Sequence, residues 1–275
     1  MARTIVITGG TDGIGAALAT ALARSGDRVV VLGTNEHKGG RLVADAGDSP
    51  GTITFVRADL SLTSSTRHVA AELAETHPRI DGLVLGARFF QTRRRITSDG
   101  FEHNFALSYL SRLLLADGLY ESMARADRPV VVNISGPGQD TPIDWTDLQS
   151  ARAYDGVRAM SVTGRYNDLL GVDFAQRHGG GPVRYVLLHP GTTSTAFAGE
   201  YDPPTADFIR RQQTTAKPAA AVVPPLRRLL DDPPAEPLSA FHLDTRIDLH
   251  NGLFSKVDAA RLAAATAELL AAPPE

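Results

Sequence analysis

Two patterns of apolar and polar residues alternate along the chain. Short, continuously apolar runs rich in β-branched residues predict strands at residues 4–8, 28–32, 52–57, 82–85, 130–134 and 183–188. Longer segments with helical apolar spacing predict helices at residues 14–24, 64–76, 98–125, 158–176, 218–230 and 257–270, with a weak strand at 238–241. Strands that are apolar on both faces are typical of a parallel sheet covered by helices on both sides. The pattern therefore predicts an α/β fold with a doubly wound parallel sheet.

Length and composition favour a single domain over residues 1–275. The chain has 275 residues and is 43% hydrophobic, which is enough for one large core. It contains no cysteine, so disulfide bonds and cysteine metal sites are excluded. Because no group of His, Asp and Glu has metal-ligand spacing either, no metal is expected.

Charge and hydropathy limit the partners and the location. The formal net charge of −3 creates no general field for nucleic acid or an anionic membrane. No apolar stretch reaches the roughly 18 residues of a membrane span, and an apolar run begins almost at Met1, which leaves no room for a signal peptide. We therefore expect a soluble, cytoplasmic protein that binds a small molecule rather than nucleic acid or a membrane.

A glycine-rich turn joins the first predicted strand to the first predicted helix. Residues 8–15 read Thr-Gly-Gly-Thr-Asp-Gly-Ile-Gly. Glycines allow a sharp turn and close approach to a phosphate, and a helix N-terminus offers free N–H groups and positive dipole. The strand, turn and helix together predict a Rossmann-type fold whose turn binds the pyrophosphate of a dinucleotide. The residues expected to contact this cofactor are Gly9, Thr11, Asp12, Gly13, Ile14 and Gly15.

Two further loops suit the two ends of the same cofactor. Asp59 and Leu60 follow the third strand, where a carboxylate can accept a hydrogen bond from an adenine amino group. The hydroxyl-rich loop 190–195 follows the sixth strand and is expected to meet the nicotinamide. Its contact residues are predicted to be Pro190, Gly191, Thr192 and Thr195.

The residues after the second strand favour NADP(H) over NAD(H). Thr34 and Asn35 stand where an acidic residue would bind the ribose 2′-hydroxyl pair, so no carboxylate there repels a 2′-phosphate. Asp12 is acidic and weighs against this preference. Lys38 has two interpretations, as a ligand of the phosphate or as an exposed lysine on a helix.

These residues and further motifs resemble the short-chain dehydrogenase/reductase family over about the whole chain. Besides residues 8–15 and 59–60, Asp-Gly-Leu-Val at 81–84 and Val-Asn-Ile-Ser at 132–135 carry the resemblance. Segments 98–102, 147–148, 154–156 and 189–191 look most like the retinol-dehydrogenase-like branch. The resemblance implies a nicotinamide-dependent oxidoreductase in which Gly86 and Ala87 also contact the cofactor. Family members often form homo-oligomers through their long helices, which is an option for this chain.

The resemblance breaks at the catalytic positions. Family members usually reduce a carbonyl with a Ser, a Tyr, a Lys four residues after it, and an Asn, and the Tyr protonates the oxygen. Alignment to neighbouring motifs places these four positions at Gly136, Met160, Gly164 and Ser108, respectively. None of the six tyrosines has a lysine four residues later, so the usual proton donor is absent.

Three functions remain open at this point. The protein is a ketoreductase whose substrate or a bound water supplies the proton, or a non-redox cyclase or isomerase that retains the cofactor, or a cofactor-sensing binding protein. Met160 is apolar and adaptable, and Gly136 and Gly164 open volume beside the expected nicotinamide. These residues favour the first function with a bulky substrate, such as a polyphenolic polyketide in the biosynthesis of an antibiotic or another secondary metabolite.

Few polar residues can replace the missing acid. Ser135 adjoins the expected site, but an unassisted hydroxyl is a poor acid at pH 7. Arg88 stands where the family has a small residue, and its guanidinium is either a stabiliser of a developing oxyanion or a solvated side chain. Tyr154, His103 and His189 are interpreted as structural or surface residues, and residues 93–95 as a solvated arginine loop.

The segment at about 192–215 lies where family members fold a lid over the substrate. We hypothesise that Phe197, Tyr201 and Phe208 supply apolar contacts from this lid. The substrate is expected to contact Ser135, Gly136, Met160 and Phe197.

Overall fold

The computed structural model describes residues 2–194 and 198–272. Within them, the strands are β1 (Thr4–Thr8), β2 (Arg28–Gly33), β3 (Thr52–Arg57), β4 (Gly82–Leu85), β5 (Phe90–Gln91), β6 (Val130–Ile134), β7 (Arg184–His189), β8 (Thr193–Ser194), β9 (Gly199–Glu200), β10 (Lys217–Pro218), β11 (Leu238–His242) and β12 (Thr245–Arg246). The α-helices are α1 (Gly13–Arg24), α2 (Glu36–Ala46), α3 (Thr63–Thr76), α4 (His103–Phe105), α5 (Ser111–Gly118), α6 (Tyr120–Ala124), α7 (Gly156–His178), α8 (Pro203–Thr215), α9 (Val223–Asp231) and α10 (Lys256–Ala271). A π-helix spans Ala106–Leu110, and 3-10 helices span Ala219–Val222 and Gly252–Phe254.

The central sheet has eight strands in the order β12-β11-β7-β6-β4-β1-β2-β3. All neighbours pair in parallel except β11 and β12, which are antiparallel. The chain runs outward from β1 to β3 on one side and from β4 to β7 on the other. The order therefore reverses between β1 and β4, and a crevice forms beyond their carboxyl ends. The predicted doubly wound, Rossmann-type fold is confirmed.

Helices cover both faces of the sheet, which explains why its strands are continuously apolar. Every residue of β1 and β4 is buried. One apolar cluster packs Leu18 and Leu22 of α1 beneath the sheet. The other packs Leu115 of α5 and Leu169 of α7 against the opposite face. Alternate side chains of the central strands β1 and β4 thus meet different helical layers, and neither face of these two strands reaches water.

The predicted helix at 98–125 was wrong in its start and in its continuity. The helical segment begins at His103, because the Glu102 carboxylate accepts hydrogen bonds from the Asn104 and Phe105 amides at 2.9 and 2.7 Å. The π-helix then inserts a wider turn between α4 and α5. In addition, α2 and α8 were not among the predicted helices. Within residues 2–194 and 198–272, no helix is long and apolar enough to cross a membrane.

Candidate active site

A cavity of about 1240 Å³ lies beyond the carboxyl ends of β1 and β4. Every described residue predicted at a cofactor, catalytic or direct substrate position lines this cavity, and of the two lid aromatics described only Phe208 does; Thr195 and Phe197 fall outside the described residues. The predicted residues in its wall are Gly9, Thr11, Asp12, Gly13, Ile14, Gly15, Thr34, Asn35, Asp59, Leu60, Gly86, Ala87, Arg88, Ser108, Ser135, Gly136, Met160, Gly164, Pro190, Gly191 and Thr192. The fold thus brings the expected cofactor and substrate positions into one space.

The glycine turn has a shape that side chains would prevent. Gly9 has a φ of +65°, and a Cβ on it would lie 2.8 Å from the Ala87 Cα in the neighbouring loop. A Cβ on Gly15 would lie 2.5 Å from the Gly9 carbonyl oxygen. The Thr8 hydroxyl accepts hydrogen bonds from the Gly86 and Ala87 amides at 2.9 and 3.1 Å, which joins the two loops. The N-terminus of α1 therefore faces the cavity across a bare backbone surface, which fits a pyrophosphate.

Lys38 belongs to the same wall and neutralises Asp12. The Asp12 carboxylate accepts a hydrogen bond from the Gly13 amide at 2.7 Å and forms an ion pair with the Lys38 ammonium. The hydrogen bond from Lys38 is the main reason why the pKa of Asp12 is lowered. The Asn35 side chain caps α2 by accepting from the Lys38 amide at 2.9 Å. The ammonium is thereby placed beside the turn, at the edge where Thr34 and Asn35 also line the cavity.

Asp59, which the sequence assigns to the adenine, is held by its own turn. Its Oδ1 accepts hydrogen bonds from the Ser61 amide at 3.0 Å and the Ser61 hydroxyl at 2.7 Å. Both bonds use one oxygen, and Oδ2 has no hydrogen bond within the described part of the chain. Leu60, the next residue, is buried. The carboxylate is therefore oriented while one oxygen remains for an amino group.

At the positions of the missing catalytic side chains, Gly164 has free space, whereas Gly136 is bordered by other side chains. A Cβ on Gly164 would approach only the Gly136 carbonyl oxygen, at 3.7 Å. A Cβ on Gly136 would meet the Gln139 amide nitrogen at 3.2 Å and the His189 Cδ2 at 3.7 Å. Met160 is half-buried in the same wall, one helical turn before Gly164. Gln139 and His189 therefore border the space that a side chain at position 136 would occupy.

Sequence reasoning missed an asparagine in this wall. Asn104 lines the cavity, and its amide nitrogen donates to the Thr163 hydroxyl at 2.6 Å and to the Ala159 carbonyl at 3.0 Å. The Ser108 hydroxyl donates to the Asn104 Oδ1 at 3.2 Å. An asparagine thus stands four residues before the predicted position at Ser108, and it links the π-helix region to α7. The sequence feature that could have revealed Asn104 is its position as an uncharged polar residue between the apolar Phe101 and Phe105.

Two arginines bring positive charge to the cavity. Arg112, on α5, is buried and donates to the Asn133 side chain, the Ile134 carbonyl at 3.0 Å and the Ala87 carbonyl at 3.4 Å. Burial lowers the pKa of Arg112 to about 10. Arg88 reaches solvent inside the cavity, yet the surrounding protein lowers its pKa to about 10 as well. Since both values exceed neutral pH, both guanidinium groups remain cationic.

Of the residues interpreted as structural, Tyr154 has a structural contact, whereas His103 and His189 lie in the cavity wall. The Tyr154 hydroxyl donates to the Gln91 carbonyl at 3.2 Å, and Asp155 caps α7, which supports a structural role. His103 is half-buried in the cavity wall, and its Nδ1 has no hydrogen-bond partner among residues 2–194 and 198–272. Burial lowers the pKa of the His103 imidazole. His189 also lines the cavity, so the two histidines border the site.

Within the segment predicted as a lid, the structure describes helix α8, with a short parallel strand pair before it and another after it. Before α8, β9 pairs with β5, and after it, β10 pairs with β8. Phe208 lines the cavity as predicted. Tyr201 does not line it, because its ring stacks on Phe90 with the centroids 5.5 Å apart. The contact of Tyr201 with substrate stays a prediction, and Phe90, on which Tyr201 stacks, is part of the cavity wall.

A glycine turn at the point where the strand order reverses, with polar loops beyond the neighbouring strands, defines a dinucleotide-binding protein of the dehydrogenase type. The family model for short chain dehydrogenase matches residues 3–154. The chain belongs to this family, whose members use NAD(H) or NADP(H) in oxidoreduction, and is related to its retinol-dehydrogenase-like branch. Across residues 2–194 and 198–272, no cluster of His, Asp and Glu has the geometry of a metal site.

Two curated relatives and two solved structures illustrate the relationship. Human retinol dehydrogenase 14 is 32% identical over 70% of this chain and 62% of its own, so the match spans less than two thirds of that protein. A Streptomyces protein named "Putative daunorubicin C-13 ketoreductase" is 31% identical over 70% of this chain and 67% of its own. A short chain dehydrogenase from Salmonella enterica has the same fold (TM-score 0.69, 21% identity, 89% and 97% of the chains). So does one from Burkholderia cenocepacia in complex with NADP (TM-score 0.67, 17% identity, 88% and 96%).

Proposed function

We propose that the protein is an NADP(H)-dependent ketoreductase for bulky, flat, hydroxylated ketones of the polyphenolic polyketide type. The observation that carries this proposal is the opening of the cavity wall at Gly164, where the usual Lys is absent and a Cβ would be 3.7 Å from the Gly136 carbonyl oxygen. A volume of about 1240 Å³ exceeds the roughly 300–1,000 Å³ of a pocket for one small-molecule ligand. The remaining space suits a large second ligand.

Apolar residues at the rim of the cavity support the same substrate class. The described part of the chain exposes five large hydrophobic side chains, and three of them line the cavity: Ile96 is 45%, Val157 56% and Phe208 52% exposed. Exposed apolar groups gathered around one opening are typical of a site that binds an apolar ligand. The name of the Streptomyces relative, a C-13 ketoreductase, supports a ketone substrate and a role in secondary metabolism.

Different residues of this chain bind the cofactor, confine the substrate and stabilise the developing charge in the proposed reaction. The turn at 8–15, Asp59 and the loops after β4 and β7 would hold the cofactor, which supplies a hydride when bound and reduced. Met160 and Phe208 confine the substrate and exclude water from one face. Because no tyrosine is placed to act as an acid, a hydroxyl beside the ketone or a bound water protonates the alkoxide. Positioning then provides most of the rate enhancement, and the cationic Arg88 favours the developing negative charge.

Lys38 supports the preference for NADP(H). Its ion pair cancels the charge of Asp12, which otherwise weighs against a 2′-phosphate. We expect Lys38→Ala to raise the Kd of NADPH about tenfold or more, because a charge-assisted hydrogen bond contributes about 1.5–3 kcal/mol. The Kd of NADH should rise less, because NADH has no 2′-phosphate and is affected only by the uncompensated charge of Asp12. Lys256→Ala, an exposed lysine outside the cavity, is the matched control. An equal loss for both cofactors, or tighter binding of NADH by the unchanged protein, contradicts the preference.

The substrate's part in proton transfer can be tested with a pair of ketones. One aryl ketone carries a hydroxyl beside the carbonyl, and the other carries its methyl ether. We expect the hydroxyl compound to consume NADPH about 10–100 times faster, since general acid catalysis contributes roughly 10²–10⁴-fold when fully developed. Equal rates would exclude the substrate hydroxyl as the donor and favour water. Product formation without loss of NADPH would replace ketoreduction by cyclisation or isomerisation, and binding without any product would favour a sensing role.

A further inference from the structure

We propose that Gln139 and His189 together replace the missing serine at position 136 and donate hydrogen bonds to the carbonyl oxygen of the substrate. The inference rests on the proposed ketoreduction and identifies which side chains contact the reacting oxygen. Gln139 had no assigned role, and the sequence suggested a structural role for His189. Both residues line the cavity at the space left by Gly136.

The geometry around Gly136 brings the two side chains together. A Cβ on Gly136 would lie 3.2 Å from the Gln139 amide nitrogen and 3.7 Å from the His189 Cδ2. Nε2 is bonded to Cδ2, so it is a direct neighbour of the ring atom that lies closest to this space. The hydroxyl of a serine at position 136 would extend from this Cβ into the space that the Gln139 and His189 side chains border. Two N–H donors are therefore available where one O–H donor is missing.

A backbone hydrogen bond determines which nitrogen of His189 carries the proton. The Gly191 amide donates to the His189 Nδ1 at 3.0 Å, so Nδ1 is an acceptor. A neutral imidazole with Nδ1 as acceptor carries its proton on Nε2. Burial lowers the pKa of His189, and the neighbouring His242 and the cationic Arg88 lower it further. The ring is therefore neutral at neutral pH, and its Nε2–H is the donor directed at the site.

Gln139 extends from a firmly anchored loop. Gly138, just before it, adopts a φ of +79°, and its amide donates to the Asp168 carboxylate at 3.1 Å. Asp168 is itself buried and paired with Arg165 at 2.8 Å. On the other side, the Thr141 amide donates to the Gln139 carbonyl at 3.0 Å. The backbone at Gln139 is thus held on both sides while its side chain lies at the rim of the cavity.

Two neutral donors suit a site that has lost its acid. A side-chain amide and a neutral imidazole polarise a carbonyl and stabilise an alkoxide without giving up their protons. The proton that completes the alcohol still comes from the substrate hydroxyl or from water. Removing one such donor from an oxyanion site costs about 10²–10³-fold in kcat in well-studied enzymes. Donors of this kind explain how turnover survives without the tyrosine.

A double-mutant cycle tests the replacement of the serine. We expect Gln139→Ala to lower kcat/KM by about 10–100-fold without changing the Kd of NADPH. In a Gly136→Ser background, the hydroxyl takes over the contact, so the same change should cost only about threefold or less. Asp140→Ala, an exposed neighbour, is the control and should be neutral. Equal losses in both backgrounds, or no loss in the unchanged background, would overturn the role of Gln139.

A pair of substitutions tests His189. His189→Gln places an amide N–H near the position of Nε2–H and should keep activity within about tenfold, whereas His189→Phe should lose about 100-fold or more. NADPH affinity and the unfolding temperature of both variants check that the site still forms. If the Gln and Phe variants lose equally while folded and loaded with cofactor, His189 is a structural residue and its role as a donor is refuted.

A measurement without turnover separates this inference from the proposed function. In the dead-end complex of the protein with NADP⁺ and the hydroxylated aryl ketone, we expect NMR shifts of the His189 Hε2 and the Gln139 side-chain amide protons. Turnover by the unchanged protein without these shifts would refute the two donors alone. Shifts without any NADPH oxidation in the parallel assay would refute ketoreduction alone.

Discussion

Restoring the missing tyrosine and lysine separates the effects of proton donation and substrate positioning. Met160 and Gly164 lie one turn apart on α7 and both line the cavity. A side chain at position 164 has room, because its Cβ would contact only the Gly136 oxygen at 3.7 Å. Lysine also has a higher helix propensity than glycine, by about 0.5–1 kcal/mol. The variant Met160→Tyr/Gly164→Lys is therefore expected to fold.

The expected gain depends on both substitutions. A tyrosine alone keeps a pKa of about 10 and is a weak acid at pH 7, so we expect Met160→Tyr to raise kcat/KM about tenfold or less. A lysine within about 4–6 Å favours the phenolate and lowers that pKa. Complete general acid catalysis is worth about 10²–10⁴-fold, or roughly 3–5 kcal/mol of barrier. The double variant should approach this range.

The assay is NADPH oxidation with a simple aryl ketone that carries no hydroxyl, so that the substrate supplies no proton. Met160→Phe controls for the aromatic ring, and Gly164→Ala controls for the added side chain without its charge. The reasoning is refuted if Met160→Tyr alone gains about 100-fold or more. It is refuted equally if the double variant binds NADPH normally but shows no gain beyond its single variants.

Three further predictions concern the lid, the turn and pH. Phe208→Ala should raise KM for the ketone about five- to tenfold with little change in kcat. Val257 is 78% exposed and lies outside the cavity, so Val257→Ala should change neither constant. Equal effects of the two substitutions would exclude a contact between Phe208 and the substrate. In Gly15→Ala, the new Cβ would lie 2.5 Å from the Gly9 carbonyl oxygen, so this substitution should abolish NADPH binding measured by calorimetry. Gly40 on α2 has open space around it, so the control Gly40→Ala should leave NADPH binding unchanged. Burial raises the pKa of Asp168 to about 7, so the folded state retains this proton above the ordinary pKa and loses stability as pH rises from about 4 to 7. Between about pH 4 and 7, the free energy of unfolding measured in urea should fall by about 2–4 kcal/mol more for the unchanged protein than for Asp168→Asn. The same pH dependence in both proteins would contradict the shift.

The secondary structure was predictable where the pattern of apolar residues within one segment determines it. The first strand was predicted at 4–8 and is observed at Thr4–Thr8, because a buried β-branched run has few alternatives. The helix predicted at 158–176 is observed at Gly156–His178. It begins two residues before the apolar pattern does, because Asp155 caps its N-terminus. The π-helix at Ala106–Leu110 was not predictable from apolar spacing, because one wider turn hardly changes that spacing.

The cofactor side of the site was more predictable than the substrate side. The turn at 8–15 and Asp59 are local features, and each carries its chemistry in a few consecutive residues. Asn104, Gln139 and His189 belong to separate segments, and no short motif connects them. The ion pair between Asp12 and Lys38 also joins positions 26 residues apart. Contacts of this kind depend on which strands and helices become neighbours.

The chain's residues alone were sufficient to show that a dinucleotide turn is present and that no tyrosine is followed by a lysine at the fourth position. Both conclusions follow from the order of residues, which no folding can change. Only the folded arrangement showed what borders the space of the missing serine. Because β6 and β7 are adjacent and parallel, the loop that carries Gln139 and the end of β7 that carries His189 meet at the same edge of the sheet.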